Sequence, residues 1–333
     1  MTRNANSKWL AGYIYYGEPL DRVVEEAVIP FVTEVMKNDW VDNFFFIRYW
    51  ERGPHIRLRF LGDPDKLEAE LKPFWLKYFD DYFAKSPSER QEPNFADDVA
   101  EEHRWFPNNS VQFIEYEPET ERYGGDDCLI ISEEFFQHSS ETIFELMSES
   151  EDEWGYDRAL GAGIQMHLSM AFGLGMDRAQ MIGFFDRYFA RWLPRAYYFF
   201  EKDFSEEELK RRKKETLEAF ESTYANQQEN LIAFFNQIME LLEENDFADT
   251  WLETWVNGSK AAKSGLDSLI AKDAYTPTKY YEILEEGGFS KGNQIQWALF
   301  DSYVHMTNNR LGILNRDEAY LAFIISKTLK LLK

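Results

Sequence analysis

The stretch Phe44–Phe60, FFFIRYWERGPHIRLRF, decides how this chain is read. An apolar run, Phe44–Tyr49, gives way to Trp50–Pro54, where Gly53 and Pro54 signal a turn, and a second strand starts at His55. Side chains alternate along a strand, so His55, Arg57 and Arg59 point to one face while Ile56, Leu58 and Phe60 point to the other. A sheet that buries one face and leaves the other accessible then displays two permanent cations and a titratable imidazole within roughly 14 Å. An ordinary polar face, its arginines paired with nearby glutamates, explains the segment equally well by itself. Arg48 beside the hairpin and the surplus of acid elsewhere tip the reading toward an anion-binding site.

That surplus is large. The 333 residues carry 36 Lys+Arg against 60 Asp+Glu, a formal net charge of −24. Such a field repels nucleic acid, and cations concentrated on an acidic body suit a small or local anionic group. Hydrophobic residues at 44% and aromatics at 17% describe a folded chain with a substantial core. Cys128 stands alone, which excludes an internal disulfide and a multi-cysteine metal site. Met1–Lys8 is polar rather than signal-like, and the longest apolar run, Leu160–Met176, is interrupted by Gln165, His167 and Ser169. The expected location is cytoplasmic.

In chain order, Trp9–Tyr16 reads as a strand and Leu20–Lys37 as an amphipathic helix kinked at Pro30. The hairpin follows, then a helix opened by Asp63-Pro64 and running to about Ala84. Ser86–Asn109 is irregular and Ser110–Glu117 alternates like a strand. The order predicts an α+β fold: an N-terminal ferredoxin-like β-α-β-β-α-β antiparallel sheet layer over 1–125, packed with a large helical part over 126–333. The two parts are expected to form one integrated domain. Within the helical part, Asp126–Leu146 is a helix and Ser148–Glu153 an acidic loop. Trp154–Met176 and Asp177–Phe189 are helices, with Pro194 and the aromatic run Tyr197–Phe200 ending that block. Residues 204–247 form one or two long helices, Gly258–Pro277 shorter pieces, and Asn293–Met306 and Arg316–Leu332 closing helices.

Two further stretches could carry chemistry. In YEPETERYGG, Tyr116–Gly125, Glu119 and Arg122 sit beyond a strand before a glycine pair that permits a tight backbone path. They are either a local ion pair ordering a loop, or an addition to the cationic site with Glu119 holding an arginine or moving a proton. In HMTNNR, His305 ends a helix beside Asn308, Asn309 and Arg310, as a cap or as a general acid or base. His103 reads as packed beside Trp105, His138 as a helix-surface residue and His167 as a core residue. Lys210–Lys214, KRRKK, reads as a solvated helix face. No HExxH, P-loop, strand-borne GxGxxG or GxSxG pattern occurs, so no metal, nucleotide or other cofactor is expected.

Taken in order, YIYYGEPLDRVVEEAVIPFV, FFIRYWERGPHIRLRF, YEPETERYGG, FFQHSS (Phe135–Ser140) and HMTNNRLG (His305–Gly312) resemble the C-terminal domain of class I lantibiotic dehydratases, the thiopeptide-type bacteriocin biosynthesis family. The resemblance spans nearly the whole chain. It implies a lyase that eliminates glutamate from glutamylated Ser or Thr of a ribosomally made precursor peptide, leaving dehydroalanine or dehydrobutyrine. It also implies a free-standing subunit of a split dehydratase, whose partners are the precursor peptide and a separate, tRNA-Glu-dependent glutamylation protein. Direct contact with nucleic acid and a membrane span are not implied, and a homodimer is left open.

By the resemblance, Arg59, Arg122, Glu119 and His305 are the catalytic candidates, with Arg57, Arg48, His55 and Arg310 as substrate-binding candidates. Within the same family, pyridine-forming aza-[4+2] cyclases are the alternative. A non-catalytic adaptor presenting the precursor peptide is a second one.

Overall fold

The computed structural model describes residues 6–93, 100–149, 154–198, 203–247, 250–276 and 291–332. Five readings fall partly outside these: the polar start at 1–5, the irregular stretch at 94–99, the acidic loop at 150–153, the end of the aromatic run at 199–200, and the last residue of Gly258–Pro277. The fold is α+β and mostly helical, with one small antiparallel sheet of four strands. Contacts divide the chain into two units. The first holds Met1–Glu119 and Ser139–Trp154; the second holds Thr120–His138 and Gly155–Lys333.

The first unit is built on β1 (Lys8–Tyr15), β2 (Val41–Tyr49), β3 (His55–Gly62) and β4 (Ser110–Phe113), in the order β2-β3-β1-β4. The expected hairpin is β2–β3, its turn closed by the Gly53 amide donating to the Trp50 carbonyl at 3.1 Å. Strand β4 is shorter than the predicted Ser110–Glu117. Beyond Phe113 the chain leaves the ladder so that Ile114 and Tyr116 can pack on Ala11, Tyr13 and Tyr15.

One sheet face is apolar, with Ile14, Phe44, Phe46, Ile56, Leu58 and Phe60 buried. The segment between β1 and β2 is α1 (Leu20–Val23), a π-turn at Val24–Val28, and α2 (Ile29–Val35). Between β3 and β4, α3 (Pro64–Lys66) leads through a π-turn at Leu67–Leu71 into α4 (Lys72–Lys85). Pro30 and Pro73 each sit in the first turn after a π-turn, where a missing N–H is tolerated, so the helical run continues through the expected kink. Asp63 caps α3, its carboxylate accepting from the Asp65 amide at 2.9 Å. Trp75 on α4 is fully buried against Phe31, Phe60 and Phe113. Its indole lies where a side chain at Gly12 would stand: a Cβ there would come within 2.4 Å of the ring. The C-terminal part of α5 (Asp126–Ser148) also belongs to this unit, with Phe144 stacked on Phe44 and Phe46.

The second unit contains the start of α5 and six further helices among the described residues: α6 (Tyr156–Gly173), α7 (Arg178–Tyr197), α8 (Glu206–Glu243), α9 (Trp251–Ala271), α10 (Lys291–Leu311) and α11 (Asn315–Leu331). Two predicted breaks do not occur. Helix α7 runs through Pro194, and Gly258–Pro277 is not a set of pieces but largely the single helix α9. Gly258 serves close packing there, since a Cβ would meet the His138 ring at 2.7 Å. His138 is therefore a half-buried packing residue, not a surface one. Residues 210–214 do lie on a solvated face of α8, paired along the helix with Glu206, Glu208, Glu215 and Glu218.

Gly12→Ala drives a methyl group into the Trp75 ring in a close-packed core. Urea unfolding should show it less stable than the parent by about 1–3 kcal/mol, the usual cost of overpacking.

Candidate functional site

Strand alternation places His55, Arg57 and Arg59 on the sheet face opposite the apolar one. Their cross-strand neighbours are Tyr15, Tyr13 and Ala11 on β1, and Tyr49, Ile47 and Phe45 on β2. The expectation of an open polar face needs correction, because this face is an aromatic layer with arginines lying in it. Arg57 lies 3.6 Å from the centroid of Tyr49 and 4.7 Å from that of Tyr13. Arg59 lies 4.5 Å from Tyr116 and 5.1 Å from Phe45. A guanidinium over a ring is held by the ring's quadrupole while its in-plane donors stay aimed elsewhere.

His55 is 0% exposed, stacked near Tyr13 and Tyr15, so it is not the accessible imidazole expected. Its Nδ1 meets the Gly53 carbonyl at 2.8 Å and its Nε2 accepts from Arg57 Nε at 3.1 Å. Burial pulls its pKa down to about 4, with the Arg57 charge adding to the shift. His55 is thus a neutral acceptor that aims Arg57, whose other side pairs with exposed Glu51 at 3.1 Å.

Arg59 differs. Among the described residues no carboxylate pairs with it, and its buried Nε has no hydrogen-bond partner. Arg48 does not join the set. It lies opposite Ile56, which puts it on the other face, buried and paired with Asp21 at 2.7 Å.

The second unit gathers a polar cluster from four helices. His305 is inside α10 rather than at its end, because the helix continues to Leu311. Its Nδ1 stands 2.8 Å from Glu318 Oε1 on α11, and its ring stacks on Trp192 of α7 at 4.6 Å between centroids. Glu318 is 1% exposed. Its Oε2 accepts from Tyr188 Oη and, at 3.1 Å, from Asn308 Nδ2. Asn308 Oδ1 in turn meets Nε2 of fully buried His167 at 2.7 Å. One turn before His305, Asp301 pairs with Arg191 at 2.5 Å, yet burial pushes its pKa up to about 6. About a fifth of the His305 side chain is exposed, so the arrangement is a carboxylate-held imidazole that keeps some access.

Glu318, Tyr188 and Asp301 were missed from the sequence. The spacing of Asp301, His305 and Asn308 at i, i+4 and i+7 could have marked one helix face.

The remaining candidates are placed as follows. Glu119 is exposed at the end of the first unit's leading segment, and Arg122 is half-buried in the second. The turn after Arg122 requires its glycines, with φ of 80° at Gly124 and 100° at Gly125. Arg310 is fully buried with its guanidinium 4.9 Å from Phe136, where it braces the helices. Cys128 is buried and its thiol is pushed up to about 11, so it is no nucleophile at neutral pH. Among the described residues no three His, Cys, Asp or Glu side chains group as a metal site, and no helix is long and apolar enough to cross a membrane.

The family described as lantibiotic biosynthesis dehydratase, C-terminal, matches residues 9–329. The chain belongs to that family. The epidermin biosynthesis protein EpiB of Staphylococcus epidermidis is 28% identical over 120 residues, which is 36% of this chain and only 10% of that relative. Three solved structures share the fold at low identity. TsrL matches with a TM-score of 0.68 and 14% identity, over 97% of this chain and 95% of its own. TbtD, the pyridine synthase of thiomuracin biosynthesis, matches at 0.62 and 16%, over 96% of this chain and 97% of its own. MibB, the tRNA-dependent lantibiotic dehydratase of Microbispora sp. 107891, matches at 0.58 and 18%, over 98% of this chain but 28% of its own. Family membership makes this a protein of ribosomal-peptide modification.

The buried histidines of this family member have a thermodynamic consequence. His55 and His167 are both pulled to about 4 when folded. The unfolded chain therefore takes up protons first, near 6.5, and the stability present above that pH is lost as pH falls toward 4. Urea midpoints between pH 7 and 4 should decline, and His55→Phe should flatten that decline by up to about 3 kcal/mol.

Proposed function

We propose that this protein is a glutamate-eliminating lyase acting on a precursor peptide whose Ser or Thr residues carry glutamyl esters. The observation that carries this reading is Arg59, a guanidinium held between Tyr116 and Phe45 with no carboxylate partner among the described residues. An uncompensated cation on an acidic protein is suited to an incoming carboxylate or a developing enolate.

Elimination breaks the Cα–H and Cβ–O bonds. The Cα proton goes to a base, its electron pair forms the Cα=Cβ bond, and glutamate departs as a carboxylate. Arg59, and Arg57 aimed by His55, stabilise the negative charge that grows on the carbonyl and leaving-group oxygens. His305, with Nδ1 committed to Glu318, is the acid or base of the proton transfers; Arg122 is a further candidate for binding carboxylate or enolate oxygens, and Glu119 for holding an arginine or moving a proton. Glutamylation is supplied by a partner that uses glutamyl-tRNA, so this chain itself needs no contact with nucleic acid, and both proteins work in the cytoplasm. The strand order β2-β3-β1-β4 with two helical crossovers supports the ferredoxin-like reading of the sheet layer.

The rival is pyridine formation, the activity named for TbtD, which this chain matches along nearly its whole length. A cyclase joins two dehydroalanines and has no glutamyl carboxylate to hold, which leaves Arg59 without its ligand.

Mass spectrometry of a glutamylated precursor peptide incubated with this protein alone separates the two. Stepwise loss of glutamate, leaving residues one water lighter than Ser or Thr, is expected. Arg59→Ala and His305→Ala should each slow it by about 10²-fold or more. Glutamylated peptide returned intact, together with cyclisation of a bis-dehydroalanine peptide, would reverse the assignment.

A further inference from the structure

Glu318 is a carboxylate with 1% exposure on which three donors converge, and none of them is a permanent cation. Groups that bury a charge in this way select its orientation as well as satisfying it. The donors are distributed unequally. Among the described residues Oε1 faces only His305 Nδ1, whereas Oε2 accepts from both Tyr188 Oη and Asn308 Nδ2. Tyr188 stays protonated, because burial and the Glu318 charge hold its pKa well above the ordinary value.

The orientation of Asn308 is fixed from its far side. With its amide donating to Glu318, its Oδ1 faces His167, whose Nε2 must then carry the proton. The opposite flip would leave a proton on His167 Nδ1, a buried atom without a hydrogen-bond partner among the described residues, and burying an unpaired donor is unfavourable. The wire from His167 through Asn308 therefore donates toward Glu318 and leaves Oε1 to His305.

We infer that Glu318 is the positioning residue that makes Nε2 the reactive nitrogen of His305. The carboxylate accepts the Nδ1 proton, so the lone pair of the neutral ring sits on Nε2, while the Trp192 stack at 4.6 Å holds the plane of the ring. Asp301, one turn before His305, pairs with Arg191 at 2.5 Å and, among the described residues, makes no hydrogen bond to His305 or Glu318. The role of that nitrogen in catalysis rests on the elimination reading, but the tautomer does not.

Glu318→Gln tests the asymmetry. The two donors at the Oε2 position claim the amide oxygen, so the new NH₂ falls opposite His305 Nδ1, which can only accept it as the Nε2–H tautomer. Nitrogen-15 NMR of the full-length protein with labelled histidine reads this directly. The parent should show His305 as Nδ1–H, Glu318→Gln as Nε2–H, and Glu318→Asp as Nδ1–H again. In the elimination assay, kcat of Glu318→Gln should fall by about 10²–10⁴-fold with KM within about twofold, and Glu318→Asp should recover part of it. An Nε2–H tautomer in the parent protein, or retention of Nδ1–H in Glu318→Gln, overturns the inference, and the first needs no variant to fold. A tautomer switch in a protein that never eliminates glutamate would sustain the positioning role and remove the lyase reading instead.

Discussion

A central strand whose two faces must both be covered is the constraint on which the first unit depends. Strand β3 lies between β2 and β1, so every one of its side chains is enclosed from both flanks. Its even-numbered residues meet this requirement with ordinary apolar packing. Its odd-numbered residues begin with His55, Arg57 and Arg59 before ending on apolar Leu61, and the first three are housed because aromatic rings lie beside them. Rings accept a guanidinium face-on at little desolvation cost to its edge, whereas an aliphatic layer would expel it. The aromatic composition of the strands thus makes it possible for this sheet to hold cations.

The second unit solves the opposite problem, that of a buried anion. Glu318 accepts from donors on α7 and α10, and His167 of α6 reaches it through Asn308, so the set ties four helices to one point. Removing a donor would leave an under-satisfied buried charge, so the cluster couples helix packing to the orientation of His305. The imidazole is rigid because it is stacked and hydrogen-bonded, and it is usable because part of it remains exposed. Membership of the lantibiotic dehydratase C-terminal family places the chain in ribosomal-peptide modification.

The hairpin, the helices flanking the sheet and the antiparallel pairing were legible in the sequence because alternation, turn residues and caps are local signals. Pro194 misled because a helix can carry one proline where packing outweighs the lost hydrogen bond. Gly258 and Gly265 misled because their purpose is contact with His138 and Ile131, far away in the chain. His55 was assigned to the correct face but to the wrong environment, since alternation says which way a side chain points and nothing about what covers it.

By itself, then, the sequence determined the parity of β3, the segregation of its cations from its apolar residues, the glycine turn after Arg122 and the motifs that mark the family. Each follows from backbone geometry within a few residues. Only the tertiary structure decided that Arg48 pairs with Asp21 on the opposite face, that Arg59 has no acidic partner among the described residues, and that His305 is held by Glu318. Those outcomes depend on which distant side chains share a few ångströms. With 60 acidic residues available, no local rule selects the one that reaches a given base.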